Sequence, residues 1–165
     1  MKGFNARYQR TISFIGRIIL GATLVAAGGL KAFVPAEAAG AVAAYKILPV
    51  QLAHLVGYAL PWLEIAIGVL LIIGSSIRMA SVVAGGIMVL FIGAIISLWA
   101  RGLLIDCGCF GGGGVLAASK VGEVHRTYAL EIARDLGLAL VALYLYFFPH
   151  GLFSVEKSAY HNEEI

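Results

Sequence analysis

The chain has 165 residues, of which 61% are hydrophobic and only 13% are charged, and its formal net charge is +3. A soluble domain carries about twice that fraction of charged residues, and a water-soluble fold of this size cannot bury so much apolar surface. The composition therefore excludes an ordinary soluble protein and indicates a single membrane domain over residues 1–165. The small positive charge requires no nucleic acid and suits anionic lipid head groups.

Stretches with few charges predict where the chain crosses the membrane. A helix of about 20 residues spans the hydrocarbon core, and a helix satisfies its own backbone hydrogen bonds there. The predicted spans lie near residues 11–31, 52–75, 79–101 and 130–149. The connection between the second and third spans is short, so these two helices should form an antiparallel hairpin. The predicted fold class is an all-α, integral membrane four-helix bundle.

The first connection predicts a short surface helix in the first outer loop. Residues 36–46 are rich in alanine, which favours helix, and Pro35 and Pro49 bracket them. The next outer loop, residues 102–127, contains the cysteines, and the polar tail 156–165 should be frayed.

The amino terminus indicates the orientation. Lys2, Arg7 and Arg10 precede the first apolar run, which the positive-inside rule favours on the cytoplasmic side. We therefore expect a multi-pass protein of the cell inner (plasma) membrane, with the cysteine loop outside the cytoplasm. The first apolar run is long for a signal peptide, so we expect an uncleaved first span.

Both cysteines of the chain, Cys107 and Cys109, lie in the glycine-rich stretch LIDCGCFGGGG at residues 104–114. Gly108 permits the bent backbone that would let the two sulfurs meet, and a strained disulfide exchanges readily. A one-residue loop constrains the unfolded chain very little, so a structural staple explains the pair poorly. The pattern favours redox exchange. Two alternatives stay open, namely a soft metal such as Cu(I) or Zn with ligands from elsewhere, and inert buried thiols.

Glu64 is the most unusual residue inside a predicted span. It shares one helix face with Gly57, Pro61 and Gly68, and an acid at this depth is costly to insert. It should therefore face the bundle. One interpretation is an acid that handles protons or a quinone near the thiols. The other is a buried ion pair with Lys31 or Arg101, which makes both of these residues candidate site residues.

The other charges near the spans have simpler expected roles. Arg17 should extend its side chain to the nearby interface, as long cationic side chains often do. Arg134 and Asp135 should cap the start of the fourth helix. If Arg134 reached the cysteine loop it would lower the pKa of a thiol, whereas Asp106, next to Cys107, would raise it.

Several of these motifs together resemble a known family. The stretch RGLLIDCGCFG at residues 101–111 and Pro-Trp-Leu-Glu at residues 61–64 resemble the signature of the MauE branch of the DoxX-like membrane proteins. Further matching pieces are Gly29-Leu30-Lys31, the stretch YKILP at residues 45–49, Arg78, and Arg134-Asp135. The resemblance covers nearly the whole chain.

The resemblance implies a four-helix membrane protein that takes part in thiol redox work. Such a protein would exchange electrons through Cys107 and Cys109 with a thioredoxin-like, rhodanese-like or other sulfur-carrying partner. It would act during the maturation of exported enzymes that contain disulfides, which keeps open the role of a thiol–disulfide oxidoreductase. DoxX-like relatives are linked to sulfur oxidation that feeds quinone, so the resemblance keeps a quinone open as a cofactor.

One function from another class stays open. The chain could be a non-catalytic membrane subunit that docks onto a larger respiratory or sulfur-oxidising complex, in which case the cysteines would be inert. A small transporter that uses Glu64 is disfavoured, because the four predicted spans contain no evident inverted repeat.

Overall fold

The structure is a computed structural model that describes residues 2–103, residue 105 and residues 121–149. Helices account for the regular structure of these residues, which confirms the predicted all-α fold. They are α1 (Lys2–Ala32), α2 (Pro35–Ala44), α3 (Val50–Ile73), α4 (Ile77–Ala100) and α5 (Val121–Phe147). The cysteine loop from residue 106 to residue 120 and the polar tail 156–165 lie outside the described residues.

Three helices of the described chain are long and apolar enough to cross a membrane. They are Tyr8–Ala32 within α1, Val50–Ile73 and Ile77–Ala100, and the first three predicted spans fall within or close to these helices. Helix α3 ends at a left-handed C-cap, Gly74 with φ 80°, and the short connection that begins there turns the chain back as the hairpin prediction requires.

The fourth predicted span needs a correction, because α5 begins at Val121 instead of near residue 130. The predicted start was placed where the charged residues end, but a helix can extend beyond the hydrocarbon and carry charged residues there. Val124 and Tyr128, in the extra turns, pack in a cluster with Ile95 and Leu98 of α4. The uncharged part of α5, residues 136–147, is about 18 Å long and shorter than a bilayer core. A fourth crossing therefore stays a prediction, and it requires charged residues at membrane depth.

The bundle is apolar on the outside and contains polar groups on the inside. Large apolar side chains such as Leu55, Trp62 and Leu90 are between 64% and 72% exposed, which is the arrangement expected for a surface covered by lipid. In the part of the chain that the structure describes, the buried polar and charged residues are Ser13, Arg17, Lys31, Glu64, Ser81 and Asp135. The helices thus keep these charged side chains in the interior of the bundle, away from lipid.

Helices α1 and α3 approach closely along a stripe of small residues. Gly57, Pro61, Glu64 and Gly68 are all buried, as the predicted common face requires. A Cβ added to Gly68 would lie 2.6 Å from the carbonyl oxygen of Gly21, and one added to Gly28 would lie 2.5 Å from that of Pro61. The two backbones therefore touch where a side chain would not fit, as is typical of membrane helix pairs.

We expect Gly68→Ala to destabilise the protein by about 1–3 kcal/mol, because the new methyl group must push α1 away from α3. The matched control is Gly86→Ala on α4, where an added Cβ meets no atom of the described structure within 4 Å. Thermal unfolding in detergent measures both variants. Equal stability of the two variants would contradict the close packing of α1 on α3.

The predicted surface helix is present as α2, which begins with Pro35 at its first turn. It packs against α3 through Ala39, whose Cα would lie only 2.5 Å from a Cβ added to Gly57. Ala38, Ala39 and Ala41 are buried, so α2 covers the first turns of α3 and does more than lie on the surface.

Arg17 does not extend to the interface, so that expectation is wrong. Its side chain is fully buried, and its Nε and Nη2 donate hydrogen bonds to the carbonyl oxygens of Leu71 (2.9 Å) and Ile72 (3.1 Å). These carbonyls belong to the last turn of α3, which lacks partners within the helix. Arg17 therefore caps α3 from the neighbouring helix, and the glycine at position 74 leaves room for the guanidinium.

Candidate functional site

A buried ion pair joins α1 to the middle of α3. Lys31 Nζ donates hydrogen bonds to both carboxylate oxygens of Glu64, at 2.8 Å and 3.0 Å, and the side chains are 7% and 0% exposed. Side chains on a helix point back toward its amino terminus, so Lys31 reaches into the bundle from the end of α1. Its Nζ also lies 5.0 Å from the ring centre of Phe91 on α4. The ion-pair interpretation of Glu64 is confirmed.

Lys31, and not Arg101, is the partner of Glu64. Arg101 is exposed at the end of α4, where its Nε donates to the carbonyl oxygen of Ser97 and its Nη2 to that of Tyr45. It thus connects the end of α4 to the segment that follows α2. This contact lies at the surface and is separate from the buried Lys31–Glu64 pair.

Arg134 and Asp135 do not cap a helix, because α5 starts thirteen residues before Arg134. Arg134 donates from Nε to the Asp135 carboxylate at 2.9 Å, and its Nη2 lies 2.7 Å from the same oxygen, Oδ1. Asp135 is 1% exposed, so the pair faces the interior of the bundle. Arg134 was expected to lower the pKa of a thiol, but both cysteines lie outside the described residues. Within the described residues, its guanidinium is directed at Asp135.

The two ion pairs meet around one small cavity. Glu64, Arg134 and Asp135 line this space of about 20 Å³ together with Thr23 and apolar side chains from α1, α4 and α5. The space is enough for one water molecule. The Lys31 charge also attracts the Asp135 carboxylate. We call Lys31, Glu64, Arg134 and Asp135 the charge cluster. Its formal charge is zero, which makes four charges tolerable inside an apolar bundle.

Tyr128 holds the segment that leads into the cysteine loop. Its hydroxyl lies 2.6 Å from the carbonyl oxygen of Ile105 and 2.9 Å from that of Leu103, and it accepts a hydrogen bond from the Ile105 amide at 3.1 Å. Tyr128 is 2% exposed and belongs to the cluster with Ile95 and Leu98. The chain just before Asp106 is therefore fixed against α4 and α5.

Trp99 adds an aromatic contact at the same end of the bundle. Its ring packs edge-on against His125 with centres 5.7 Å apart, and it lies 6.4 Å from the ring of Tyr128. Together these rings tie the end of α4 to the first turns of α5. The residues before and after the cysteine loop are thus joined to one another.

Sequence reasoning singled out three members of the charge cluster but did not bring the cluster together. It named Lys31, Glu64 and Arg134 as candidate site residues, placed Arg134 and Asp135 at a helix end, and gave Tyr128 no role. The signal that could have found Asp135 was its position one residue before the uncharged run 136–147. Cys107, Cys109 and Asp106 lie outside the described residues, so their predicted site roles stay proposals.

The chain is similar in sequence to proteins of one described family. The family model described as methylamine utilisation protein MauE matches residues 9–148, a range that contains the charge cluster, Tyr128 and both cysteines. The methylamine utilization protein MauE of Methylophilus methylotrophus is 32% identical over 136 residues, which is 82% of this chain and 67% of that protein. No solved structure matches the chain at a significant level. The chain therefore belongs to the MauE family of membrane proteins.

Proposed function

We propose that this protein is a membrane thiol–disulfide redox protein whose Cys107 and Cys109 exchange electrons with a thioredoxin-like or rhodanese-like partner. The partner would be exported, and the cysteine loop would face it from the outer side of the inner membrane. The resemblance to the MauE family implies that the process served is the maturation of an exported enzyme that contains disulfides.

The anchored approach to the cysteine loop is the observation that supports this proposal best. Tyr128 binds residues 103 and 105, directly before the two thiols, and the Trp99 contact joins both sides of the loop. A redox loop must present its sulfurs to a second protein, and rigid supports position such a site. The charge cluster lies beneath the same end of the bundle, where Lys31 ends α1.

The exchange proceeds in two steps that conserve electrons and protons. A thiolate of the pair attacks the disulfide of the partner, so that a mixed disulfide forms and one partner sulfur leaves as a thiolate that takes up a proton. The second cysteine of the pair then loses its proton and attacks the mixed disulfide. This step releases the reduced partner and forms the Cys107–Cys109 disulfide. The reverse sequence oxidises the partner.

Trapping the mixed disulfide tests the proposal. With one cysteine replaced, the second step cannot occur, so Cys107→Ser or Cys109→Ser should capture the partner as a covalent adduct. Immunoprecipitation from cells followed by non-reducing electrophoresis detects it, and a reductant should release it. The double Cys→Ser variant is the control and should capture nothing.

The outcome separates the redox protein from a non-catalytic subunit of a larger complex. A subunit would co-purify with its complex equally well in all cysteine variants and would give no reducible adduct. An exported partner in the adduct supports the proposed orientation, whereas a cytoplasmic partner would reverse it.

A further inference from the structure

A second and much larger cavity lies on the other side of the Lys31–Glu64 pair. It has a volume of 330 Å³ and opens between α2, α3 and α4. Its walls include Ala41, Leu60, Leu90 and Ala94, and Lys31 is the charged residue among the described residues that line it. Phe91 lines both this cavity and the small one, so the ion pair and the Phe91 ring form the wall between them.

The size and the walls of the cavity restrict what it can bind. Ligand pockets range from about 300 to 1,000 Å³, so this one suits a ring or a single chain and not a whole two-chain lipid. The surroundings of the opening are apolar, and Leu90 at its edge is 72% exposed. A ligand would therefore enter from the bilayer, with any remaining tail left in the hydrocarbon.

Lys31 determines which polar group of a ligand can bind in the cavity. An ammonium has three N–H donors, and two of them are directed at Glu64. Among the described residues no hydrogen bond uses the third donor. Because Glu64 already neutralises the charge of Lys31, an anionic ligand would bring a net charge into a buried site at high cost. An uncharged oxygen acceptor is favoured instead.

We propose that this cavity binds an uncharged, membrane-soluble amphiphile that places a carbonyl oxygen against Lys31. The ring carbonyl of a lipid-soluble quinone and the ester carbonyl of a single-chain lipid both have this chemistry. The site is distinct from the cysteine pair, and its ligand does not have to take part in thiol exchange.

Isothermal titration of the purified full chain in a maltoside detergent tests the proposal. The probes are a benzoquinone with one ten-carbon tail, a ten-carbon monoacylglycerol, and a ten-carbon alkane that lacks any carbonyl. At least one carbonyl probe should bind about three- to tenfold more tightly than the alkane, the effect of one added hydrogen bond. Which carbonyl probe binds distinguishes the two sources of ligand.

Two cavity-filling variants locate the site. Ala94→Phe should abolish binding, and Leu60→Trp provides a second variant in case the first fails to fold. Ile96→Phe is the matched control, because Ile96 lies on the same helix but is 50% exposed and does not line the cavity. Equal binding by the filled and control variants would overturn the proposal.

A paired substitution tests the role of Lys31 itself. Lys31→Met with Glu64→Leu removes the donor and leaves no charge unpaired, so the affinity ratio of carbonyl probe to alkane should fall to about one. An unchanged ratio would overturn the assignment of Lys31. The titrations are repeated in the double Cys→Ser variant, which should bind equally well, so that a failure of thiol exchange cannot be mistaken for a failure of this site.

Discussion

Replacing either Cys107 or Cys109 with serine should abolish thiol exchange as completely as replacing both. In one direction of the exchange, the second cysteine attacks the mixed disulfide and resolves it. In the other direction, it leaves as a thiolate when the partner attacks the Cys107–Cys109 disulfide. The two cysteines therefore act as one unit. The measurement is the rate at which the purified protein reduces or oxidises a thioredoxin-like protein, followed by alkylation of the free thiols. All three variants should show no turnover above the uncatalysed rate.

The native pair should also form a disulfide that mild dithiols reduce. A small strained ring has a midpoint potential more oxidising than the value of about −300 mV below which structural disulfides lie. Redox titration with thiol buffers measures it. The redox unit would be contradicted if the purified protein held two free thiols that no oxidant can join. Normal function of the double Cys→Ser variant would contradict it as well. A bound metal that disappears in the double variant would favour the metal interpretation instead.

Glu64→Leu should destabilise the protein by about 3–5 kcal/mol, because it leaves the ammonium of Lys31 buried without a counter-charge. Both side chains of this pair are less than a tenth exposed, so solvent cannot replace the lost carboxylate. Unfolding in detergent, followed by helical circular dichroism, measures the loss. Lys31→Met combined with Glu64→Leu should recover most of it, because the double variant removes both charges and leaves an apolar core.

Glu64→Gln separates the structural role of this acid from a role in proton handling. The amide oxygen still accepts a hydrogen bond from Lys31, so the protein should fold, with a smaller loss than in Glu64→Leu. If Glu64 handles protons during exchange, thiol turnover by this variant should be impaired. Normal turnover would assign Glu64 to the buried pair alone. If Lys31→Met combined with Glu64→Leu fails to recover stability, other contacts of the charge cluster account for most of the stability lost in Glu64→Leu.

The residues alone were sufficient to predict the class of the protein and most of its helices. Composition identified the solvent, because a chain with so few charges cannot be stable in water as a small fold. The uncharged runs located the helices α3 and α4, and Pro35 marked the start of α2, because apolar length and proline act locally along the chain. The face shared by Gly57, Pro61, Glu64 and Gly68 followed from helical spacing in the same way.

Tertiary structure decided where the charges go. Sequence spacing could not choose between Lys31 and Arg101 as the partner of Glu64, because that choice depends on how α1 and α4 pack against α3. The same is true of Arg17, which caps α3 from another helix, and of Asp135, which joins Glu64 at one cavity although 71 residues separate them in the chain. A buried charge selects its partner by distance in space and by exclusion of water, and neither quantity exists before the helices pack.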